Sequence, residues 1–461
     1  EVTRLSPSFS GFLKTYPLVG DHIAALNGQT KSCSRHGGGV VIADDLNKHM
    51  PLIVSKEVIQ TPWTKDYLEG MGFIKFDLLG LKTLRVMETA IAHILQRHGK
   101  MPNPTFSDIK SFYDRYLHLD VLKIDDQKVY KNVYQDGRWA GIFQFQEEGV
   151  QNFCKEVRPT DLIEVAIVTS IYRPNALAAG VDQLYNYSKE HPDEIEYINE
   201  IFKEETEKTF GHLVFQEQIA ALAHRLGDGI SLDEGNVLRK ILIKKGSSPK
   251  KDKIREKFVK GCRNKNMTEG EINDIWRKFE FFSGYGFNYS HALSYAAISF
   301  QCAWLLTYYP ECWLAGVLDE TEAAKKAKEI SIVRSLGYTV KTPDINVSTD
   351  KWEISADGDE FYQPLTDIKG VGASAFKEII KYRPFGSIEE VLFHPKMIKG
   401  KDRFAGLKHF WSAVAAERPK RREVLLANIE KPIFRDDADF SKSETIAHLY
   451  SLTGCSRLIL W

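Results

Sequence analysis

The chain has 461 residues, 43% of them hydrophobic and 27% charged, which suits two to four soluble domains, each with its own core. No apolar run is long enough to span a bilayer, and no charged-then-apolar-then-small leader stands at the N-terminus, so no membrane partner is expected. The 62 basic and 62 acidic side chains cancel, yet they segregate: 190–207 is acid-rich and 239–265 strongly basic, which keeps a nucleic-acid partner open. The six cysteines show no CxxC pair and no zinc-ligand spacing, which excludes a zinc-ribbon reading and points to free thiols in a reducing compartment. The chain opens on Glu1 rather than Met, and a processed or trimmed piece of something longer is expected.

In chain order, the first thirty residues mix helical periodicity with turn signals. SRHGGGVVIADD (34–45) is a glycine-rich turn running into a strand at 40–43, MPLIV (50–54) is a second strand, and GFIKFDLLG (72–80) a third. These three are expected to form one small sheet with Asp77 at its end. Period-two alternation puts Lys75 and Asp77 on one strand face, and a cation beside a carboxylate suits a site that handles phosphate and metal together. The plainer alternative for Asp77 is a helix cap or a structural ion pair. One aspartate is too few for two-metal phosphoryl transfer. Asp44 and Asp45 are adjacent, so on a strand they would point to opposite faces, and Asp125 with Asp126 lies far along in a helical stretch. The three glycines (37–39) permit close approach to a phosphate or tight packing beneath a sheet, and match neither a phosphate loop nor a dinucleotide fingerprint.

Residues 81–309 read as mostly helical. LKTLRVMETAIAHILQRHG (81–99) carries apolar residues at helical spacing and stops at Gly99. In EGNVLRKILIKKG (234–246), Arg239, Lys240, Lys244 and Lys245 cluster opposite Val237, Leu238, Ile241, Leu242 and Ile243, so the cations aim one way, as a triphosphate or nucleic-acid backbone requires. SGYGFNYSHALSY (283–295) sets Asn288, Ser290 and His291 at the mouth of a helix, where they either hydrogen-bond a ligand or leave Ser290 as the cap and His291 as a structural histidine. The helix over 293–308 is apolar nearly all round, so it should be buried, and it ends before Pro310. A third region starts near 315, with an extended stretch at 338–346. IKGVG (368–372) before ASAFKEIIKYR is a helix-hairpin-helix pattern, in which Lys369, Gly370 and Gly372 would contact duplex backbone without reading bases. The last forty residues are weakly patterned.

Taken in order, these pieces resemble the C-family bacterial replicative DNA polymerases, the family of the DNA polymerase III alpha subunit. SRHGGGVVIADD and IKFDLLGLKTL (74–84) are similar to its palm motifs. LKIDDQKVYKNVYQDGRWAGIFQFQEEGVQ (122–151), IVTSIYRPNALAAGVDQLY (167–185), HLVFQEQIAALAHRLGD (212–228), NVLRKILIKKG (236–246) and YGFNYSHALSYAAISFQCAWLLTYYPECWLAGVL (285–318) follow in family order. The resemblance implies an α+β multidomain chain: end of thumb (1–30), a second nucleotidyltransferase-type palm segment (31–80), large helical fingers (81–317), a helix-hairpin-helix duplex-binding region (318–430), and a tail or partial domain (431–461). It implies template-directed DNA synthesis from dNTPs with two magnesium ions (Mg2+). Asp77 would be the third metal-binding carboxylate and Lys75 would face the primer end or nucleotide. Arg239, Lys240, Lys244 and Lys245 would hold the triphosphate. Arg173, Asn288, Ser290 and His291 would line the nucleotide pocket, and Lys369, Gly370 and Gly372 would lie on duplex phosphates.

The chain departs from the family in several places. The D-x-D motif that carries the first two aspartates is absent. Tyr289 stands where a lysine is usual, Asn175–Ala176 replaces Gly-Pro, Gln146–Glu147 replaces Glu-Ser, and Lys240 stands where arginine is frequent. The expected partners are therefore primer-template DNA, dNTP and an N-terminal polymerase part carrying D-x-D, without which the chain should be inactive. A sliding clamp is a further candidate, although no clamp-binding peptide is evident near the C-terminus. The resemblance places the chain in the cytoplasm of a bacterial or phage-infected cell. The alternative is a non-catalytic nucleic-acid-binding or scaffold protein that keeps polymerase architecture.

Overall fold

A computed structural model describes residues 6–26, 29, 36–55, 57–78, 80–243, 249–282, 286–368, 371 and 373–386. The chain divides into two compact units, Glu1–Lys82 and Thr83–Trp461.

The first unit opens with two short helices, α1 (Pro7–Thr15) and α2 (Pro17–Leu26), each begun by a proline whose fixed φ and missing N–H suit a first helical turn. Strand β1 (Gly39–Val41) pairs antiparallel with β4 (Lys75–Asp77) in the register Gly39↔Asp77, Val40↔Phe76, Val41↔Lys75. The three strands expected to share one sheet do not. Strand β2 (Ile53–Ser55) instead pairs with β3 (Val58–Gln60) in a separate hairpin. The cause is local: Glu57 adopts φ 64, and this left-handed residue turns the chain so that Ser55 pairs with Val58. Helix α3 (Lys65–Gly70) contributes Leu68, which with Met50 is fully buried. Most of the other apolar strand residues stay exposed, Val54 at 75% and Ile59 at 68% among them.

The second unit is mostly helical. Helix α4 (Lys82–Arg97) buries Met87, Ala90, Ile91 and Ile94 at the expected spacing and ends just before Gly99. Helix α5 (Phe106–Tyr116) starts at a capping box in which Thr105 and Asp108 satisfy each other's backbone N–H groups. Two helices that are apolar on all sides cross in the core, α6 (Leu162–Ile171) and α7 (Tyr289–Tyr308). Helix α7 begins four residues earlier than the apolar pattern alone predicts, because Asn288 caps it through a hydrogen bond from His291 N. It is tied to its surroundings by Gln301 Nε2 donating to Leu117 O (2.8 Å) and by the Tyr134–Ser299 hydroxyl pair (2.9 Å). Helix α8 (Pro310–Asp319) follows at once and buries Trp313, whose indole N–H donates to Ala140 O.

A second core lies within residues 202–282, where Phe202, Leu222, Leu238, Phe258, Trp276 and Phe279 pack together. Farther on, a three-stranded sheet in the order 339–341, 360–362, 353–354 mixes parallel and antiparallel pairing, and the helix Ala373–Tyr382 packs Ile379 with Leu365, Val371 and Phe385. Cys154, Cys262, Cys302 and Cys312 are free thiols, as expected. Burial pushes Cys262 up to about 11 and Cys302 and Cys312 up to about 12, so these side chains are protonated packing groups and not nucleophiles. No helix among the described residues is long and apolar enough to cross a membrane.

Lys189 and Glu164 form one of the enclosed ion pairs of this unit. Glu164, buried on α6, accepts from Thr160 N (2.7 Å) and Thr160 Oγ1 (3.1 Å) and pairs with Lys189 Nζ. Glu164→Ala is expected to destabilise the chain by about 3 kcal/mol, because Lys189 loses its counter-charge where water is largely excluded. A urea midpoint unchanged from the parent chain would show the pair to be inconsequential.

Candidate functional sites

The first site is built by β1 and β4. Antiparallel pairing places Gly39 opposite Asp77, and the same-face relation of Lys75 and Asp77 holds: Lys75 Nζ donates to Asp77 Oδ1 (2.6 Å) and Oδ2 (2.9 Å). The hydrogen bond and charge of Lys75 hold the Asp77 carboxyl below the usual carboxylate range, so it is anionic at neutral pH. Its side chain remains 46% exposed, while Lys75 is 17% exposed. Each carboxylate oxygen has a second lone pair, so Asp77 can serve a cation without releasing Lys75.

His36, which the sequence did not single out, organises the glycine turn. Its Nδ1 accepts from Gly39 N (2.6 Å) and Gly38 N (3.1 Å). A neutral ring then carries its proton on Nε2, so the 3.4 Å approach of Lys75 Nζ to Nε2 brings two donors together, and Asp77 is what holds the lysine. These two backbone N–H groups are therefore spent inside the protein and do not form a phosphate cradle. A Cβ at position 39 would stand 2.9 Å from His36 Nδ1 and 3.2 Å from Lys75 Cδ, which is why the turn needs glycine there. The same unit holds an open cleft of ≈ 690 Å³ lined by His36, Val41, Met50, Trp63, Leu68 and Lys75.

The second site lies in the second unit and brings together residues far apart in sequence. The segment 286–288 runs beside 214–216 in a short parallel bridge. Phe287 N donates to Val214 O (3.1 Å) and Gln216 N to Phe287 O (2.7 Å). Gly286 is required here, since a Cβ would lie 2.1 Å from the Phe282 ring. Gln216, the first residue of the helix Gln216–Leu226, donates from Nε2 to Gly286 O (2.8 Å) and accepts at Oε1 from Arg239 Nη1. Arg239 belongs to the helix Leu232–Ile243, and its Nε is buried without a hydrogen-bond partner among the described residues. Arg173 stacks its guanidinium over Phe287 at 3.3 Å, and partial burial lowers its pKa. Arg173 thus meets the turn directly and Arg239 is linked to it through Gln216.

The other expected residues divide. Asn288 is committed to structure: Nδ2 donates to Glu217 Oε1 (2.6 Å), and Oδ1 accepts from His291 N (2.9 Å) and Ser290 Oγ (2.8 Å). The cap is therefore Asn288 and not Ser290. His291 is exposed and stacks on Tyr295 (4.1 Å), with no hydrogen bond to its ring nitrogens among the described residues. Lys240 is exposed. Leu238 and Leu242 are buried as expected, whereas Val237 is 39% exposed, because the packed stripe is narrower than the apolar run. Lys244, Lys245, Lys369, Gly370 and Gly372 lie outside the described residues. Gln216, Glu217 and Phe287 were the residues not foreseen; their sequence traces were the FQEQ run (215–218) that opens a helix and the FNYSH run (287–291).

Four cations of the basic stretch 239–265 are held in ion pairs. Along the helix Pro249–Asn264, Lys251 pairs with Glu280 (2.8 Å), Lys257 with Glu234 (2.7 Å), Lys260 with Asp228 (2.6 Å) and Arg263 with Glu269 (2.7 Å). Cation density in sequence here overstates the field available to a nucleic acid.

Known proteins complete the picture. Residues 84–266 match the bacterial DNA polymerase III alpha subunit finger domain, residues 10–80 the bacterial DNA polymerase III alpha NTPase domain, and residues 337–399 a helix-hairpin-helix motif. The chain is 30% identical to the DNA polymerase III subunit alpha of Campylobacter jejuni over 84% of its own length and 32% of that protein. The corresponding values are 31%, 81% and 29% for Chlamydia pneumoniae, and 30%, 88% and 34% for Aquifex aeolicus. The chain belongs to the bacterial DNA polymerase III alpha subunit family. It spans about a third of the length of the curated relatives it matches. Against the family pattern, Tyr289 takes the place of a lysine and turns to packing: it is half-buried and lies 4.6 Å from Phe215. The alpha-family finger match ends at 266 and so contains Arg173, Gln216 and Arg239 but not the turn that joins them.

Proposed function

We propose that this chain is part of a template-directed DNA polymerase, joining a dNTP to a primer 3′ end. The observation that carries the reading is the packing of Arg173 on Phe287 together with the link of Arg239, through Gln216, to the same 286–288 turn. Two fixed guanidinium groups suit the charge that builds on a departing pyrophosphate. His291, exposed at the start of its helix, and Lys240 are the further nucleotide contacts we assign, with Lys244 and Lys245 beyond them. Asn288 and Ser290 act by shaping the turn. In the helix-hairpin-helix region, Lys369, Gly370 and Gly372 are assigned to duplex phosphates.

Asp77 fits one ligand of a metal site: it is ionised, half-exposed and held in place by Lys75. It does not make a whole site, since the single group of three clustered metal-type ligands among the described residues is His98, Glu311 and Cys312 in the second unit. There the Glu311 carboxylate already faces Arg97 and His98, and Cys312 is protonated. Bound divalent ions, which we take to be Mg2+, would polarise the primer hydroxyl and the α-phosphate. The remaining carboxylates are assigned to a D-x-D-bearing polypeptide outside this sequence. The exposed apolar strands of the first unit support that assignment, because a two-stranded ribbon with Ile42, Ile74 and Phe76 facing water is not stable by itself.

Primer extension tests the reading. The chain alone is expected to bind primed template and add no nucleotide, and mixing with a D-x-D-bearing partner is expected to restore addition. Tight DNA binding without extension by the pair would instead make this a non-catalytic nucleic-acid-binding protein of polymerase architecture.

A further inference from the structure

The second unit carries a row of aromatic rings. Tyr116, the last residue of α5, stacks toward Trp304 (6.4 Å, 23°), and Trp304 meets Tyr308 (5.0 Å) and Tyr309 (5.9 Å). The row is only partly covered, with Tyr116 37% and Tyr308 39% exposed. It continues into a cleft of ≈ 360 Å³ walled by Ile94, His98, Phe112, Arg115, Tyr116 and Tyr309. A cation stands at each end. Arg115 lies 5.2 Å from the centroid of Tyr116 and Lys128 4.6 Å from that of Tyr308. Both are exposed and make no ion pair among the described residues. Of the nearby acids, Asp108 lines the cleft and caps α5, Asp126 accepts the Tyr308 hydroxyl (2.6 Å), Glu311 faces Arg97 and His98, and Asp125 is exposed.

From this arrangement we infer that the Tyr116–Trp304–Tyr308 row and its cleft form a binding site for unpaired, single-stranded nucleic acid. Bases stack on the rings, and Arg115 and Lys128 take the flanking phosphates. Exposed π faces with uncommitted cations at both ends are what a flexible, sequence-tolerant strand needs. A duplex buries its base faces in its own stack, so it cannot use the rings. An apolar protein segment would use the rings but not the cations.

The test is fluorescence anisotropy with a labelled oligo(dT) of about ten nucleotides, against a blunt hairpin duplex. Tyr116→Leu keeps apolar packing and removes the stacking face; it is expected to weaken oligo(dT) binding about tenfold and leave duplex binding unchanged. Tyr116→Phe is expected to bind like the parent. Arg115→Gln with Lys128→Gln, both at exposed positions, is expected to weaken binding and flatten its salt dependence, by roughly 0.7 per lost contact; it serves if Tyr116→Leu melts early. Undiminished oligo(dT) affinity in a folded Tyr116→Leu chain, or in the double cation variant, overturns the site and leaves a protein-docking face. An equal loss of duplex binding overturns it too. Binding is read without synthesis, so a failure here and a failure of primer extension are separate results.

Discussion

Asp77→Asn in the completed polymerase is expected to reduce primer extension by about a thousandfold or more, with DNA binding retained. The asparagine keeps size and shape, and it still offers one oxygen to Lys75, so the β1–β4 ribbon should persist. What is lost is the negative charge that a bound divalent ion requires, and losing it at the reacting centre removes stabilisation that matters most in the transition state. The result should not be rescued by raising dNTP. Manganese, which accepts nitrogen and neutral oxygen donors more readily than magnesium, is expected to recover part of the rate. Extension within a fewfold of the parent enzyme would remove Asp77 from the metal site and leave its Lys75 pair as an ordinary surface contact.

Arg239→Gln is expected to lower kcat/KM for single-nucleotide incorporation by about a hundredfold, the scale on which one preorganised donor to a developing anion acts. Arg239→Lys should recover little. Lysine keeps the charge but not the planar fork whose Nη1 sits on Gln216. Gln216→Leu is expected to act in the same direction, and more weakly, since it removes the group that aims the arginine. Its discriminating readout is non-additivity: combined with Arg239→Gln it should cost no more than Arg239→Gln alone. Additive losses would show that Gln216 and Arg239 do not work as one unit.

Parts of this were legible without a structure. Lys75 and Asp77 face the same way because strand side chains alternate with period two, and no tertiary contact is needed for that. The helix over 82–97 and the 293–308 part of α7 follow from apolar spacing and from Gly99 and Pro310, while the first turn of α7 depends on its Asn288 cap. The order of short motifs was enough to indicate the alpha-subunit family, although none of them is distinctive alone. Residues such as Asn288 read ambiguously, since a side chain that can cap a helix can also bind a ligand, and only its partners distinguish the two. In the structure its Oδ1 accepts from His291 N and Ser290 Oγ and its Nδ2 donates to Glu217.

What the chain's linear pattern determined was therefore local: which stretches are helical, which side chains share a face, which cysteines are unpaired. Tertiary structure determined the rest. It put β2 on β3 instead of on β1, set Gln216 between Arg239 and Gly286, and paired Lys251, Lys257 and Lys260 with acids distant in sequence. The physical reason is that backbone periodicity is set by each residue's own dihedral preferences, whereas partner choice depends on which segments close over one another in three dimensions.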